Sequence, residues 1–272
     1  MEAYRTKLND DVCQEATELK HLSLLVDFIK SKYASTTARL IPLLENGEVT
    51  YELLWALFKP NTIVYTTCLD TEKSLCFRFD MGEEKTTATG ITYFHMECRY
   101  LDSDGAVFGE VSAALGIAKF AGVKRIVTLA AFPLAYHPRR SEMKTSLVER
   151  GRRFVSLLGV HHLQYYGNAF FMEKGEVVEV PVKGRIMVDA AFFRENNPNY
   201  VRPRISGLTE KKSLDDGWFT LVPENEVKSN GREPSKMKED DLLLCSPTVR
   251  GWSFGNKLWR EFFLSLDDDR IR

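Results

Sequence analysis

The sequence has no phosphate-binding loop, and this absence narrows its chemistry more than any other feature. The loop requires Gly-x-x-x-x-Gly-Lys-Ser/Thr, in which backbone amides and one lysine hold the phosphates of a nucleotide. The nearest run, Gly82-Glu-Glu-Lys-Thr-Thr87, lacks the second glycine and has two carboxylates where phosphate would lie. Arg185-Ile-Met-Val-Asp189 imitates the strand whose last aspartate binds Mg²⁺ in such ATPases, but a strand end before a turn explains it better. We expect no ATP hydrolysis by this route.

The sequence is also short of long hydrophobic runs, of excess charge and of cysteine. No apolar stretch of signal-peptide length opens the chain and no run of ~18 apolar residues follows, so we expect neither secretion nor a membrane span. The formal net charge of −1 gives no overall field for nucleic acid or an anionic membrane, and we expect neither as a partner. The five cysteines are odd in number and widely spaced, which is typical of a reducing compartment such as the cytoplasm or nucleus.

Patterns that would bind a metal or activate a nucleophile are missing as well. His95 and Cys98 are three residues apart in a predicted strand and therefore face opposite ways. Cys245 and Ser246 have no Gly-x-Ser-x-Gly turn around them. We expect no metal, no cofactor and no catalytic residue. One alternative stays open, a small-molecule enzyme of unrecognised type with a pocket near His137.

Helices dominate the first part of what the sequence does contain. Apolar residues recur at threes and fours over 19–35 and again over about 37–44, which predicts two N-terminal helices. A short and very apolar helix is predicted after Gly47, with Thr50 as its N-cap and Pro60 near its end. Its large side chains are too many for one exposed stripe, so we expect most of them in the core rather than on a docking surface.

A β pattern follows in most of the remaining chain. Short runs of β-branched and aromatic residues are separated by turn residues, and Asp102-Ser-Asp-Gly105 marks the clearest hairpin. The predicted strands cover 62–68, 75–79, 91–101, 107–114, 123–131, 161–172, 176–182, 185–189 and 242–245. These elements predict an α+β fold, in which an antiparallel, hairpin-rich sheet is joined by N-terminal helices and one central helix.

Residues 206–241 differ in composition, because they are crowded with Lys, Glu, Asp, Ser, Asn, Gly and Pro over a length unusual for a loop. We expect a disordered insertion near the C terminus. Trp218 and Phe219 form an apolar island inside it and are candidates for an interaction. The expected organisation is a flexible segment 1–18, a single domain 19–266 that includes the insertion, and a tail 267–272.

Six cations gather on and just before the central helix, which is predicted over 141–158. They are Arg139, Arg140, Lys144, Arg150, Arg152 and Arg153. Glu142 and Glu149 interrupt the positive charge, and Tyr136 is the one aromatic residue nearby, so a salt-bridged helix surface is favoured. Two other uses stay open, which are a contact with phosphate or nucleic acid and docking onto another domain.

Two dense segments, Gly47 to Cys68 and Leu242 to Trp259, carry a resemblance to a known family. Further pieces match in the same order: Glu97 to Asp102, Phe108 to Val111, Ala131 to Pro138, Glu149 to Phe154, Gly184 to Asp189 and Asn197 to Asn199. Together they resemble the uncharacterised domain that precedes the ATPase module in fungal AAA-family ATPases. The chain departs from that family at Arg250, where proline is usual.

The resemblance implies that the chain works beside an ATPase, and it implies no reaction for the chain itself. The family has no established catalytic residues that could be carried over to this chain. Similar proteins continue into a P-loop ATPase module, which implies a non-catalytic accessory domain that recognises a protein client or regulates the ATPase. We therefore expect a protein client or an AAA ATPase module as the partner, and the sequence leaves the oligomeric state open.

Overall fold

The computed structural model describes residues 19–68, 73–173, 176–198, 200, 228–232 and 237–264. Two compact units divide the chain, one ending at Val49 and the other beginning at Thr50. The single domain expected over 19–266 stays a prediction. The predicted flexible segment 1–18 and the tail 267–272 lie outside the described residues.

The first unit is helical. Residues 19–32 form helix α1, and helix α2 covers Ala34–Glu45, close to the two helices that the apolar spacing predicts. Gly47 follows with φ of 68°, a conformation that favours glycine, and the short strand β1 (Glu48–Thr50) comes next. None of the residues of α2 is buried, so this helix has little core of its own.

The second unit begins with the short apolar helix that the sequence predicts. A 3₁₀ turn over Tyr51–Leu53 leads into helix α3, Leu54–Leu57. Leu54, Leu57 and Phe58 are buried, which confirms the expected core position, whereas Trp55 is 51% exposed. The Phe58 ring lies 5.6 Å from that of Phe79 and 5.9 Å from that of Phe94, so this segment covers one face of a sheet.

That sheet has six strands, and every neighbouring pair is antiparallel. Its order is β10-β5-β4-β3-β2-β7. The strands are β2 (Ile63–Thr67), β3 (Ser74–Thr86), β4 (Thr92–Ser103), β5 (Phe108–Ala118), β7 (Ala131–Pro133) and β10 (Lys228–Arg232). The hairpin predicted at Asp102-Ser-Asp-Gly105 joins β4 to β5, where the Asp104 carboxylate accepts from the amides of Ala106 and Val107 at 2.8 Å.

A small closed barrel forms another β assembly, with the order β11-β12-β8-β9. Its strands are β8 (His161–Glu173), β9 (Glu176–Val188), β11 (Thr248–Ser253) and β12 (Leu258–Phe263). Tyr165, Phe170 and Phe262 are fully buried in it. The antiparallel sheets and helices confirm the predicted α+β class, but the split into a sheet and a barrel was not predicted.

The described part of the second unit has three further helices: α4 (Arg140–Ser156), α5 (Ala190–Asn196) and α6 (Glu239–Leu243). Helix α4 is the predicted central helix. It packs on the sheet, where the Phe154 ring lies 5.7 Å from that of Phe108. It also approaches α6 closely at Gly151, because a Cβ added there would lie 2.2 Å from the Leu242 carbonyl oxygen.

Three predicted strands differ in the structure. The strand predicted over 123–131 is broken into β6 (Val123–Arg125), a 3₁₀ turn and β7. The Thr128 hydroxyl donates to the Arg125 carbonyl at 2.7 Å and so closes the turn. Conversely, the strands predicted over 176–182 and 185–189 are one strand, β9, which continues through Gly184 at φ of 132°.

The prediction of a strand over 242–245 was wrong. Helix α6 occupies its first residues because the Asp241 carboxylate accepts from the Lys238 amide at 3.1 Å and caps the helix start. Cys245 forms only an isolated parallel bridge with Leu101. Residues 206–227 and 233–236 of the predicted insertion lie outside the described part of the chain. Of the rest, 228–232 pair with β5 as the edge strand β10, and 239–241 form the start of helix α6.

Candidate functional site

The six cations at helix α4, singled out from the sequence, do not form one surface. Arg139 pairs with Glu142 at 3.9 Å, and Lys144 pairs with Glu239 of α6 at 3.3 Å. Arg140 and Arg152 are exposed, and Arg153 is half-buried. The sixth cation, Arg150, is buried. Ion pairs and burial therefore divide the cluster, as expected of a salt-bridged helix.

Arg150 points inward to the start of β3. Its Nη1 donates to the Ser74 carbonyl oxygen at 2.7 Å, which ties α4 to the sheet. Burial lowers the pKa of Arg150 to about 10. Burial also raises the pKa of the neighbouring Cys76 and Cys245 thiols to about 12, against the opposing effect of the Arg150 charge. These thiols are therefore neutral at physiological pH, and Arg150 acts as a structural link rather than as part of an exposed site.

His137, the centre of the alternative enzyme hypothesis, is engaged in packing. Its ring lies 4.7 Å from that of Tyr65 and stacks at 6.2 Å on Phe132. Its Nδ1 accepts from the Arg139 amide at 3.2 Å. The Tyr65 hydroxyl in turn lies 3.0 Å from Ser74 Oγ. These contacts hold the imidazole in place as part of an aromatic cluster beside the start of α4.

A charged cluster that the sequence did not reveal joins the sheet to the barrel. Arg250 of β11 and Asp102 of β4 are buried and 3.1 Å apart, as measured from Nη2 to Oδ2. The Nε of Arg250 lies 4.0 Å from Oε1 of Glu261, whose Oε2 accepts from the Thr248 hydroxyl at 2.6 Å. The sequence singled out Arg250 only because proline is usual there in the family that the chain resembles, and that difference did not predict a partner. The contacts indicate a structural cross-link.

An exposed apolar surface lies on helix α1. Five aliphatic side chains fall within an arc of about 120° of the helix, which is the width of a core-facing stripe. They are Leu19, Leu22, Leu25, Val26 and Ile29, between 37% and 66% exposed, and we call them the α1 stripe. The sequence predicted this helix from these five residues and Phe28 but assigned it no function. The apolar spacing could have indicated an interaction surface, because an apolar stripe of this width normally packs against other residues.

The remaining candidates are the apolar island of the predicted insertion, metal sites and membrane spans. Trp218 and Phe219 lie outside the described residues. Within the described ranges, no group of three or more His, Cys, Asp or Glu side chains is arranged to hold a metal ion. None of the helices in that same part of the chain is long and apolar enough to cross a membrane.

Comparison with known proteins gives one match. Residues 39–138, a little over a third of the chain, match the family model of a domain of unknown function, DUF7025. No curated protein and no solved structure matches the chain. Because no function is attached to the matched family, the ATPase context remains a prediction from the resemblance.

Proposed function

We propose that this chain is a non-catalytic accessory module that recognises another protein through the α1 stripe, and that its partner is an AAA-family ATPase module. The observation that carries the proposal is the exposure of five aliphatic side chains in one line on one helix. Exposed apolar surface of this kind marks protein interaction sites, because covering it releases about 25 cal/mol per Å² of apolar area.

The pattern of the stripe favours a groove on a folded partner. Leu22, Leu25 and Ile29 recur at i, i+3 and i+7, the spacing with which an amphipathic helix anchors in a hydrophobic groove. Lys20 and Asp27 lie on the opposite side and would stay in water, whereas Leu24 and Phe28, which are 67% and 66% exposed, also lie outside the stripe. A helix bound in this way contributes recognition and no chemistry, in agreement with the missing phosphate-binding loop.

The ATPase is proposed as the partner on the basis of the collinear resemblance. Proteins that resemble this chain join the domain to a P-loop module in the same polypeptide. The match to a domain of unknown function over 39–138 names no reaction. Localisation in the cytoplasm or nucleus, inferred from cysteine usage, belongs to the same proposal.

Two matched variants test the proposal. The stripe variant replaces Leu22, Leu25 and Ile29 with Gln, and the control variant replaces Lys20 and Asp27, which lie on the opposite side, with Gln and Asn. Each tagged chain is used to capture proteins from lysate of the source organism for quantitative mass spectrometry. We expect a P-loop ATPase among the proteins that bind the wild type and the control but not the stripe variant.

Other outcomes overturn defined parts of the proposal. A set of stripe-dependent proteins without a P-loop ATPase would refute the proposed partner while keeping protein recognition. Equal capture by the stripe and control variants would refute the role of the stripe. Sedimentation gives the remaining outcome: a wild-type dimer that the stripe variant converts to a monomer would make the stripe a contact between two copies instead.

A further inference from the structure

One face of the β8–β9 hairpin is exposed and combines aromatic rings with cations. Gln164 pairs with Arg185, and Tyr166 pairs with Lys183, so these four side chains lie on the same face of the hairpin. All four are exposed. Phe254 extends this face beyond the end of β11, where its amide donates to the Arg185 carbonyl at 3.2 Å. We call these five residues the barrel face.

A cationic side chain lies over each aromatic ring of the barrel face. Lys183 Nζ lies 5.9 Å from the centroid of the Tyr166 ring, and the Arg185 guanidinium lies 5.9 Å from that of Phe254. The rings are nevertheless 44% and 43% exposed. The imidazole of His162 lies 6.2 Å from the Phe254 ring and adds a further planar, polar group. Aromatic surface and positive charge are therefore presented together and remain accessible.

We propose that the barrel face binds single-stranded nucleic acid. Unpaired bases stack on exposed aromatic side chains, and a positively charged groove follows the phosphates, which is the recurring mode of single-strand binding by β-sheet surfaces. Two strand spacings of ~4.8 Å and two residues of ~3.4 Å rise separate Phe254 from Tyr166, so the rings are on the order of 12 Å apart. That separation lets bases of nearby nucleotides stack on the two rings while Lys183 and Arg185 contact phosphates.

The local chemistry of the barrel face differs from the average of the chain. The net charge of −1 predicted no nucleic-acid partner, yet the exposed Lys257 near Phe254 adds to the two cations already there. Glu179, at the other end of the hairpin, accepts from the Asn168 amide at 3.0 Å and lies beyond Tyr166. Gln164 supplies an exposed amide for base edges. A short strand of a few nucleotides matches this surface better than a duplex, whose bases cannot stack on the rings.

Fluorescence anisotropy with labelled dT12 and rU12 at 50 and 150 mM NaCl tests the proposal on the full chain. The ring variant is Tyr166→Ala with Phe254→Ala, and the cation variant is Lys183→Ala with Arg185→Ala. The control, Arg140→Ala with Arg152→Ala, removes two exposed cations that lie on α4 and not on the barrel face. Melting temperatures within a few degrees of the wild type establish that each variant is folded.

We expect the wild type to bind dT12 or rU12, and the ring variant to bind at least fivefold more weakly for each ring removed, since stacking contributes ~1–3 kcal/mol per base. The cation variant should lower the slope of log K against log salt by about 1.4, at ~0.7 per phosphate contact. The control should stay within twofold of the wild type. Absence of binding at 100 µM protein in 50 mM NaCl, equal losses in the control and the cation variant, or equal affinity for a duplex would each overturn the proposal.

Discussion

Helix α1 and the segment Tyr51–Phe58 contain the same kind of large apolar side chains but differ in their solvent exposure. In both, large apolar residues follow one another at helical spacing. Leu54 is fully buried, whereas Leu25 is 53% exposed. The difference lies in the surroundings, because Phe58 packs on the rings of Phe79 and Phe94 of a neighbouring sheet. Apolar periodicity therefore predicts a helix and its apolar face. It does not predict whether residues of the same chain pack against that face.

The interior of the second unit contains buried charged side chains as well as apolar ones. Arg250 and Asp102 are both inside, at the junction of the sheet and the barrel. A pair of this kind contributes little net stability, but removing one member leaves an uncompensated charge in a medium of low polarity. The exposed stripe has no such constraint. Substitutions in the two regions should therefore differ sharply in their cost.

The largest effect is expected for Arg250→Met. This change leaves Asp102 and Glu261 buried without their cation, which costs about 3–5 kcal/mol of unfolding free energy. Urea denaturation followed by circular dichroism measures the loss. Arg185→Met, an exposed cation on the adjacent strand, is the control and should stay within ~0.5 kcal/mol. A loss below ~1 kcal/mol for Arg250→Met would show that the cross-link is not part of the folded core.

Leu54→Ala should come next. Leu54 is fully buried, so its truncation leaves a cavity under α3 and costs about 2–5 kcal/mol. The same denaturation experiment checks the value, with Trp55→Ala as the exposed neighbour on the same helix. If Leu54→Ala shifted the unfolding free energy by less than ~0.5 kcal/mol, the segment would be a docking surface, and the contrast with α1 would disappear.

The smallest effect is expected for Leu25→Ala in the α1 stripe. An exposed leucine loses little on truncation, and alanine is a strong helix former, so the change should stay within ~0.5 kcal/mol. Thermal and urea unfolding of the purified chain measure it beside Leu54→Ala. A cost above ~1 kcal/mol would mean that the stripe is covered within the free chain.

Much of the fold could be predicted from the sequence because it depends on local signals. The Asp102-Ser-Asp-Gly105 turn, the helix after Gly47 and the central helix all have their own turn or spacing pattern. The failures depend on contacts between distant residues. The strand predicted over 242–245 is replaced by helix α6, whose start Asp241 caps. No local pattern predicts that β8, β9, β11 and β12 close into a barrel.

The candidate sites were harder to predict for the same reason. The cations of α4 were recognised as a cluster, but their separation into Arg150 inside and Arg152 outside depends on where the sheet lies. Arg250 and Asp102 are far apart in sequence, so their pairing required the fold. The barrel face brings Phe254 next to Arg185 only through strand pairing. Residues on one helix can be grouped from spacing, whereas residues on different strands cannot.

Carbene footprinting of the purified monomer tests the central claim most directly, because it reports the solvent exposure of each aliphatic side chain. We expect strong labelling of Leu22, Leu25 and Ile29 in the free chain and weak labelling of Leu54 and Leu57, with all five labelled alike in urea. Protection of the stripe to the level of Leu54 in the folded chain would refute the proposed docking surface, because it would already be covered.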